Sequence, residues 1–245
     1  MPRLGSENLQ KHKAGHFGFS ATRIEDLGAQ DYTLVTIVAD RSGSTAAFQK
    51  EMEAVLKEVL GACLKSPRAD NLMIRLVTFE SKHAEVHGFK LLSAINPDDY
   101  NGVLSPGGMT ALYDASTDAI EATNKYGRQL LENDFGVNGI VIVLTDGMDN
   151  ESTTGIPQVK AALAEAVTNE NLESMVSILV GVNVADQNAK NYLANFNQDA
   201  GFTQFVPLAD ANKNTLAKLA QFVSKSISSQ SQALGSGGPS ASITF

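Results

Sequence analysis

Apolar positions along this chain fall into two alternating patterns. Short runs that are apolar at nearly every position, such as Leu34-Val35-Thr36-Ile37-Val38-Ala39, predict strands covered on both faces. Longer stretches between them repeat their apolar residues every three or four positions, the period of a helix with one buried face. The clearest is 45–65, where Phe48, Met52, Val55, Leu56, Val59, Leu60, Cys63 and Leu64 trace a single stripe.

Taken in order, the pattern predicts strands at 32–39, 71–80, 84–90, 139–147, 174–181 and 202–208. Helices are expected over 45–65, 111–132, 157–169, 186–197 and 211–230. The run "GIVIVLTDG" is the most hydrophobic and belongs at the centre of a sheet, with 84–90 at an edge. Strands alternating with amphipathic helices predict an α/β fold: a doubly wound, mostly parallel central sheet flanked by helices on both faces. The single domain is expected over 32–231. Residues 1–31 read as an N-terminal arm, polar through 21, with a short helix in which Thr22 caps, Glu25 completes a capping box and Gly28 stops the turn. Residues 232–245 read as a Gly/Ser-rich tail.

Composition narrows the class of protein. A chain of 245 residues with 43% hydrophobic and 19% charged residues builds a globular core rather than a disordered or fibrous chain. A net charge of -8 weighs against non-specific nucleic-acid binding and favours attraction of cations. Cys63 is the only cysteine, which excludes an internal disulfide, and its place on the apolar stripe predicts a buried, inert thiol. The opening "MPRLGSENLQKHKAGHFG" has no apolar core of signal-peptide length, and no stretch is long enough to span a bilayer. The expected compartment is the cytoplasm.

In a doubly wound sheet, ligands collect beyond the carboxyl ends of the central strands, where the crossover direction switches. The loop after 32–39 supplies Asp40, Ser42 and Ser44, with Gly43 free to bend between them. The loop after 139–145 supplies Asp146, and "SPGGMTALYDA" supplies Thr110 where a helix opens. Two carboxylates and three hydroxyls form an oxygen-only donor set, suited to Mg²⁺, Mn²⁺ or Ca²⁺ rather than to zinc or copper. Taken singly, Asp40 or Ser44 also reads as a cap for the helix that follows.

Together these motifs, D-x-S-x-S after the first strand, Thr behind Gly-Gly, and Asp in "TDG", resemble the von Willebrand factor A (vWA) domain family. The phrases "GGMTALYDA" and "VIVLTDG" are similar to intracellular bacterial and phage-type members. The resemblance covers roughly 32–230 and implies a Rossmann-like fold with a metal-ion-dependent adhesion site (MIDAS). It implies that Asp40, Ser42, Ser44, Thr110 and Asp146 hold the ion, hydroxyls directly and an aspartate through water. It further implies a non-catalytic module whose Mg²⁺ (Mn²⁺ or Ca²⁺ as alternatives) bridges to an Asp or Glu of a protein partner. For members of this kind such partners include AAA+ ATPases, kinase and phosphatase systems and multi-subunit assemblies; neither nucleic acid nor membrane is expected.

Other candidates carry less. The pairs His12/His16 and His83/His87 lack a third ligand and read as solvated. Asp98 and Asp99 read as solvated turn residues. Asp149 and Asn150 fit either the rim of the metal face or an ordinary Asx turn. No phosphate loop, dinucleotide fingerprint or nucleophile elbow is present in the sequence. Two rival functions remain. One is a structural subunit that uses its terminal extensions, including Lys11 and Lys13, in an assembly. The other is a Mg²⁺-dependent phosphotransferase or hydrolase with Asp40 as nucleophile, although Ser42 stands where that chemistry wants a second acid.

Overall fold

A computed structural model describes residues 9–15, 17–168, 171–237 and 243–245. The elements in chain order are β1 (Gln10–Ala14), β2 (Phe17–Ala21), β3 (Asp31–Asp40), α1 (Gln49–Cys63), β4 (Leu72–Phe79), β5 (His83–Leu91) and α2 (Leu112–Leu131). They continue with β6 (Gly136–Thr145), α3 (Ile156–Thr168), β7 (Met175–Gly181), α4 (Gln187–Ala200), β8 (Gln204–Pro207) and α5 (Lys213–Ser236). Among the described residues one eight-stranded sheet forms, in the order β1-β2-β5-β4-β3-β6-β7-β8. The five strands from β4 through β8 along that order run parallel, and β5 lies antiparallel to β4. No described helix is long and apolar enough to cross a membrane.

Successive side chains of a strand point to opposite faces, and the two faces have different covers. Val35, Ile37 and Ala39 of β3 and Ile140, Ile142 and Leu144 of β6 pack with Met52, Val55, Leu56 and Val59 of α1 and Leu216, Leu219 and Val223 of α5. On the other face Val38, Val141 and Val143 meet Leu112 and Ala119 of α2, Val159 of α3, and Leu193 and Phe196 of α4. This two-sided burial explains why the strands read as continuous apolar runs. It also fixes β3 as the switch point, since the chain next builds β4 on one side of it and later β6 on the other. Cys63 lies in the first of these cores, and burial pushes its thiol up to about 12.

The arm departs from expectation. Strands β1 and β2 pair as an antiparallel hairpin that extends the sheet beyond β5, so 84–90 is not the edge. Ala14, Phe19 and Ala21 enter a third core with Phe89, Tyr126 and Leu130. Gly88 permits this approach: a Cβ there would lie 1.9 Å from the Ser20 carbonyl oxygen. Thr22 does not cap a helix. Its hydroxyl and its N–H both donate to the Phe89 carbonyl at the hairpin junction, at 3.0 and 2.8 Å, and only a three-residue 3₁₀ turn follows at Ile24–Asp26.

The tail also starts later than expected. Helix α5 runs on to Ser236 and ends at Gly237, whose φ of +66° suits glycine. The added turns are held from outside: Arg68 Nε donates to Ser231 Oγ at 3.0 Å, and Asn138 Nδ2 to the Gln230 carbonyl at 2.8 Å. Residues 238–242 lie outside the described residues, while Phe245 sets its ring edge-on against Phe222.

The histidines are not uniformly solvated. His87 is buried, with Nε2 2.6 Å from the Tyr100 hydroxyl and Nδ1 2.8 Å from the Gly88 carbonyl oxygen. His12 stacks on Phe19 and His83 meets the edge of Phe17; His16 lies outside the described residues. Asp98 and Asp99 are exposed as expected, Asp98 paired with Lys57.

Candidate metal centre

Asp40 is the last residue of β3, and Asp146 directly follows Thr145, the last of β6; β3 and β6 are neighbours in the sheet. Their ends therefore deliver both carboxylates to one spot at the switch point. Asp40 is 2% exposed, and both of its oxygens are engaged. The Ser42 N–H donates to Oδ1 at 2.7 Å and the Thr145 hydroxyl to Oδ2 at 2.6 Å. Ser42 Oγ lies 3.1 Å from Ser44 Oγ, which donates to Asp146 Oδ1 at 2.9 Å. Asp146, Ser44 and Ser42 thus form one run of oxygens, which Asp40 joins through the Ser42 N–H.

Thr110 joins through its backbone. Its N–H donates to Asn150 Oδ1 at 2.7 Å and its carbonyl accepts from the Asn150 N–H at 3.0 Å, which clasps the "SPGGMT" loop to the loop after β6. The same loop reaches the first one, because Gly43 N–H donates to the Gly108 carbonyl at 3.3 Å and Gly107 N–H to that of Arg41 at 2.9 Å. Gly108 sits at φ +71°, where a Cβ would lie 1.8 Å from Glu80 Oε2. Glu80 cannot easily yield, being held by Arg41 and by the Ser81 N–H. Glycine is needed there on both counts.

The electrostatics are unusual for an acid pair of which Asp40 is buried and Asp146 half-buried. Burial pushes the Asp40 carboxyl up to about 6, against the lowering pull of the Thr145 and Ser42 hydrogen bonds, and the Asp146 charge adds to the rise. Burial raises Asp146 as well, opposed by the Ser44 hydrogen bond. Among the described residues neither carboxylate has a cationic side chain within ion-pair distance. Arg41, next in sequence to Asp40, turns instead to Glu80 at 3.1 Å and to the Ser105 carbonyl at 3.0 Å. Nor do three His, Cys, Asp or Glu residues gather as a metal cluster among the described residues, so any ion here must rest partly on hydroxyls. Oxygen donors around an uncompensated acid pair suit a hard divalent cation.

Sequence reasoning missed one contributor and left a second, Asn150, open between the rim of the site and an ordinary Asx turn. Thr145 orients Asp40, and its place just before Asp146 in "LTDG" was a usable signal. Asn150 acts as the clasp on Thr110, a structural role at the rim of the site; Asp149 accepts from the Ser152 hydroxyl and from Tyr113 N–H at 3.3 Å.

No protein-family model matches the chain, and no curated protein matches it in sequence. Solved structures do match in fold. The PilB minor pilin from Streptococcus sanguinis superposes with a TM-score of 0.58 at 14% identity, over 89% of this chain and 66% of that one. Proximal thread matrix protein 1 (PTMP1) from the mussel byssus, in a form described as having a zinc-occupied MIDAS motif, gives 0.53 at 18% identity, over 80% and 46%. The pilus adhesin SpaC from Lactobacillus rhamnosus GG gives 0.57 at 14%, over 93% and 36%. The chain therefore spans less than two thirds of each of these relatives. At such identities the likeness concerns fold, and the fold is the Rossmann-like α/β architecture of vWA domains.

Proposed function

We propose that this chain is a non-catalytic protein-binding module whose candidate centre takes a divalent cation and, through it, an acidic side chain of a partner protein. Asp40, Ser42, Ser44, Thr110 and Asp146 would hold the ion, which supplies the positive charge that the chain itself withholds from the pair. The observation that carries this reading is the hydrogen-bonded run from Asp146 through Ser44 to Ser42 beside a buried, uncompensated Asp40. The vWA-type fold, with one structural neighbour described as having an occupied MIDAS, supports it. Mg²⁺ is our choice of ion, with Mn²⁺ and Ca²⁺ close behind on donor chemistry, and zinc worth testing beside them.

The phosphotransferase reading is disfavoured because Asp40 is buried and both its oxygens already accept hydrogen bonds, which blunts a nucleophile. The assembly reading finds little support at the N-terminal edge. Lys11 and Lys13 stand exposed on β1, and lysines on an edge strand discourage strand pairing. The sequence resemblance points to an AAA+ ATPase or a kinase or phosphatase system as the partner class. The test is capture of proteins from the native source in Mg²⁺ and in EDTA, with wild type and Asp146→Ala. Partners retained in Mg²⁺ only, and by wild type only, are the expected result; retention by both proteins in EDTA would refute the bridge.

A further inference from the structure

Among the described residues four large apolar side chains stand strongly exposed: Leu64, Met109, Met148 and Phe245. Two of them flank the candidate centre. Met109, 47% exposed, precedes Thr110, and Met148, 45% exposed, lies two residues beyond Asp146. Their loops are the two clasped through Thr110 and Asn150. Ala46 and Ala47, in the short 3₁₀ turn after Ser44, are exposed too. Each of the three loops that carry candidate ligands thus sets an apolar surface beside an oxygen donor.

Folding does not ask for methionine at these places. At Met109 the loop uses the backbone, whose N–H donates to Ser81 Oγ at 3.1 Å, and neither methionine side chain belongs to a core. Glutamine would serve the fold as well. An exposed apolar group that the fold does not use marks a contact surface. Methionine's unbranched, polarisable chain suits one that must mould itself to a partner.

Resting on the metal-bridge reading above, we propose that Met109 and Met148 form an apolar rim that selects the partner. The side chain it admits is an acid flanked by aliphatic residues, not an acid within a charged run. A carboxylate alone discriminates poorly, since any Asp or Glu offers the same two oxygens. Asp149 and Glu151 follow Met148 in the loop after β6, so further acids beside the bridging one meet like charge. Aliphatic neighbours instead bury against the methionines and add apolar contact that the carboxylate lacks.

The test uses the full chain and three peptides immobilised at high density, so that weak contacts register through avidity. They are Gly-Leu-Glu-Leu-Gly, Gly-Ser-Glu-Ser-Gly and Gly-Leu-Gln-Leu-Gly, each in Mg²⁺ and in EDTA. In Mg²⁺ the leucine-flanked glutamate should bind about tenfold tighter than the serine-flanked one. Met109→Gln with Met148→Gln should shrink that preference to about twofold while Mn²⁺ binding stays as in wild type. Equal binding of the two glutamate peptides, binding of neither, or equal binding of the glutamine peptide would overturn the proposal. A leucine preference that persists in EDTA yet vanishes in the double variant would uphold the rim and overturn the metal bridge instead.

Discussion

Beneath the hairpin, Glu85 and Asp118 converge on Arg75, whereas at the carboxyl end of the sheet Asp40 and Asp146 meet only hydroxyls and backbone N–H groups. Arg75 is fully buried, with Nε 2.9 Å from Glu85 and Nη2 2.9 Å from Asp118. Burial pulls the guanidinium pKa down, but the two carboxylates more than offset this and hold it above its ordinary value. Glu85 also accepts from the Ser20 N–H and hydroxyl, so this ion network ties β2, β4, β5 and α2 together. At Arg75 the chain gathers two acids for its own structure and supplies their cation. At the switch point it builds a pocket of oxygens and supplies none, and the nearest arginine is turned away. That contrast is the physical reason to assign the second pair to a cation from solution.

The comparison is broken most forcefully at Arg75. Arg75→Met should cost about 3–5 kcal/mol, because the buried Asp118 and the largely buried Glu85 lose their partner. Urea denaturation followed by circular dichroism measures the loss, and adding Glu85→Gln and Asp118→Asn should restore much of it. At the other pair the sign differs: in EDTA, Asp40→Asn should cost little or stabilise, since it removes a repelling charge.

Acid titration sharpens the same contrast. Burial lowers His87 from 6.5 to about 4, so the unfolded chain takes up its proton first. The contribution of His87, roughly 3 kcal/mol, is present above pH 6.5 and is lost as pH falls from 6.5 to 4. Asp40, raised from 3.8 to about 6, acts oppositely: the metal-free fold binds its proton first and gains roughly 3 kcal/mol as pH falls from 6 to 4. The two nearly cancel in wild type. Asp40→Asn should therefore steepen the acid loss of stability in EDTA between pH 6 and 4, read from urea midpoints at successive pH values. An unchanged slope would contradict the protonation assigned to Asp40.

Metal addition is the next effect in size. An ion that binds the folded state alone, at about a hundred times its dissociation constant, adds about 2.7 kcal/mol. For a domain of this length that is a rise in Tm of roughly 5–10 °C, absent from Asp146→Asn. The smallest effect belongs to Ser42→Ala, which removes a neutral oxygen that water can replace. Its metal affinity should fall by about fivefold, near 1 kcal/mol, when titrated beside wild type.

What the sequence disclosed follows from which signals are local. The continuous runs of β3 and β6 and the stripe of α1 carry their own period, and the site sits where those runs stop, so Asp40, Ser42, Ser44 and Asp146 could be placed by counting. The hairpin escaped because β1 is mostly exposed and rich in lysine, leaving only Ala14 deeply buried. Its docking depends on Phe89 and Glu85, more than sixty residues away. Arg75 was hidden inside an apolar run for a related reason. Its partners lie 10 and 43 residues on, and neither spacing is a motif. The last turns of α5 depend on Arg68 and Asn138 rather than on any stripe of their own.

The central claim is that Asp40 and Asp146 await a cation. Equilibrium dialysis of Mn²⁺ against EDTA-stripped protein tests it most directly, comparing wild type with Asp40→Asn/Asp146→Asn and following Mn²⁺ by its electron paramagnetic resonance signal. Wild type should bind one saturable ion per chain, displaced by Mg²⁺, while the double variant should show no saturable binding and melt in EDTA no lower than wild type. Wild type that takes up no ion, or a double variant that binds as wild type does, would contradict it.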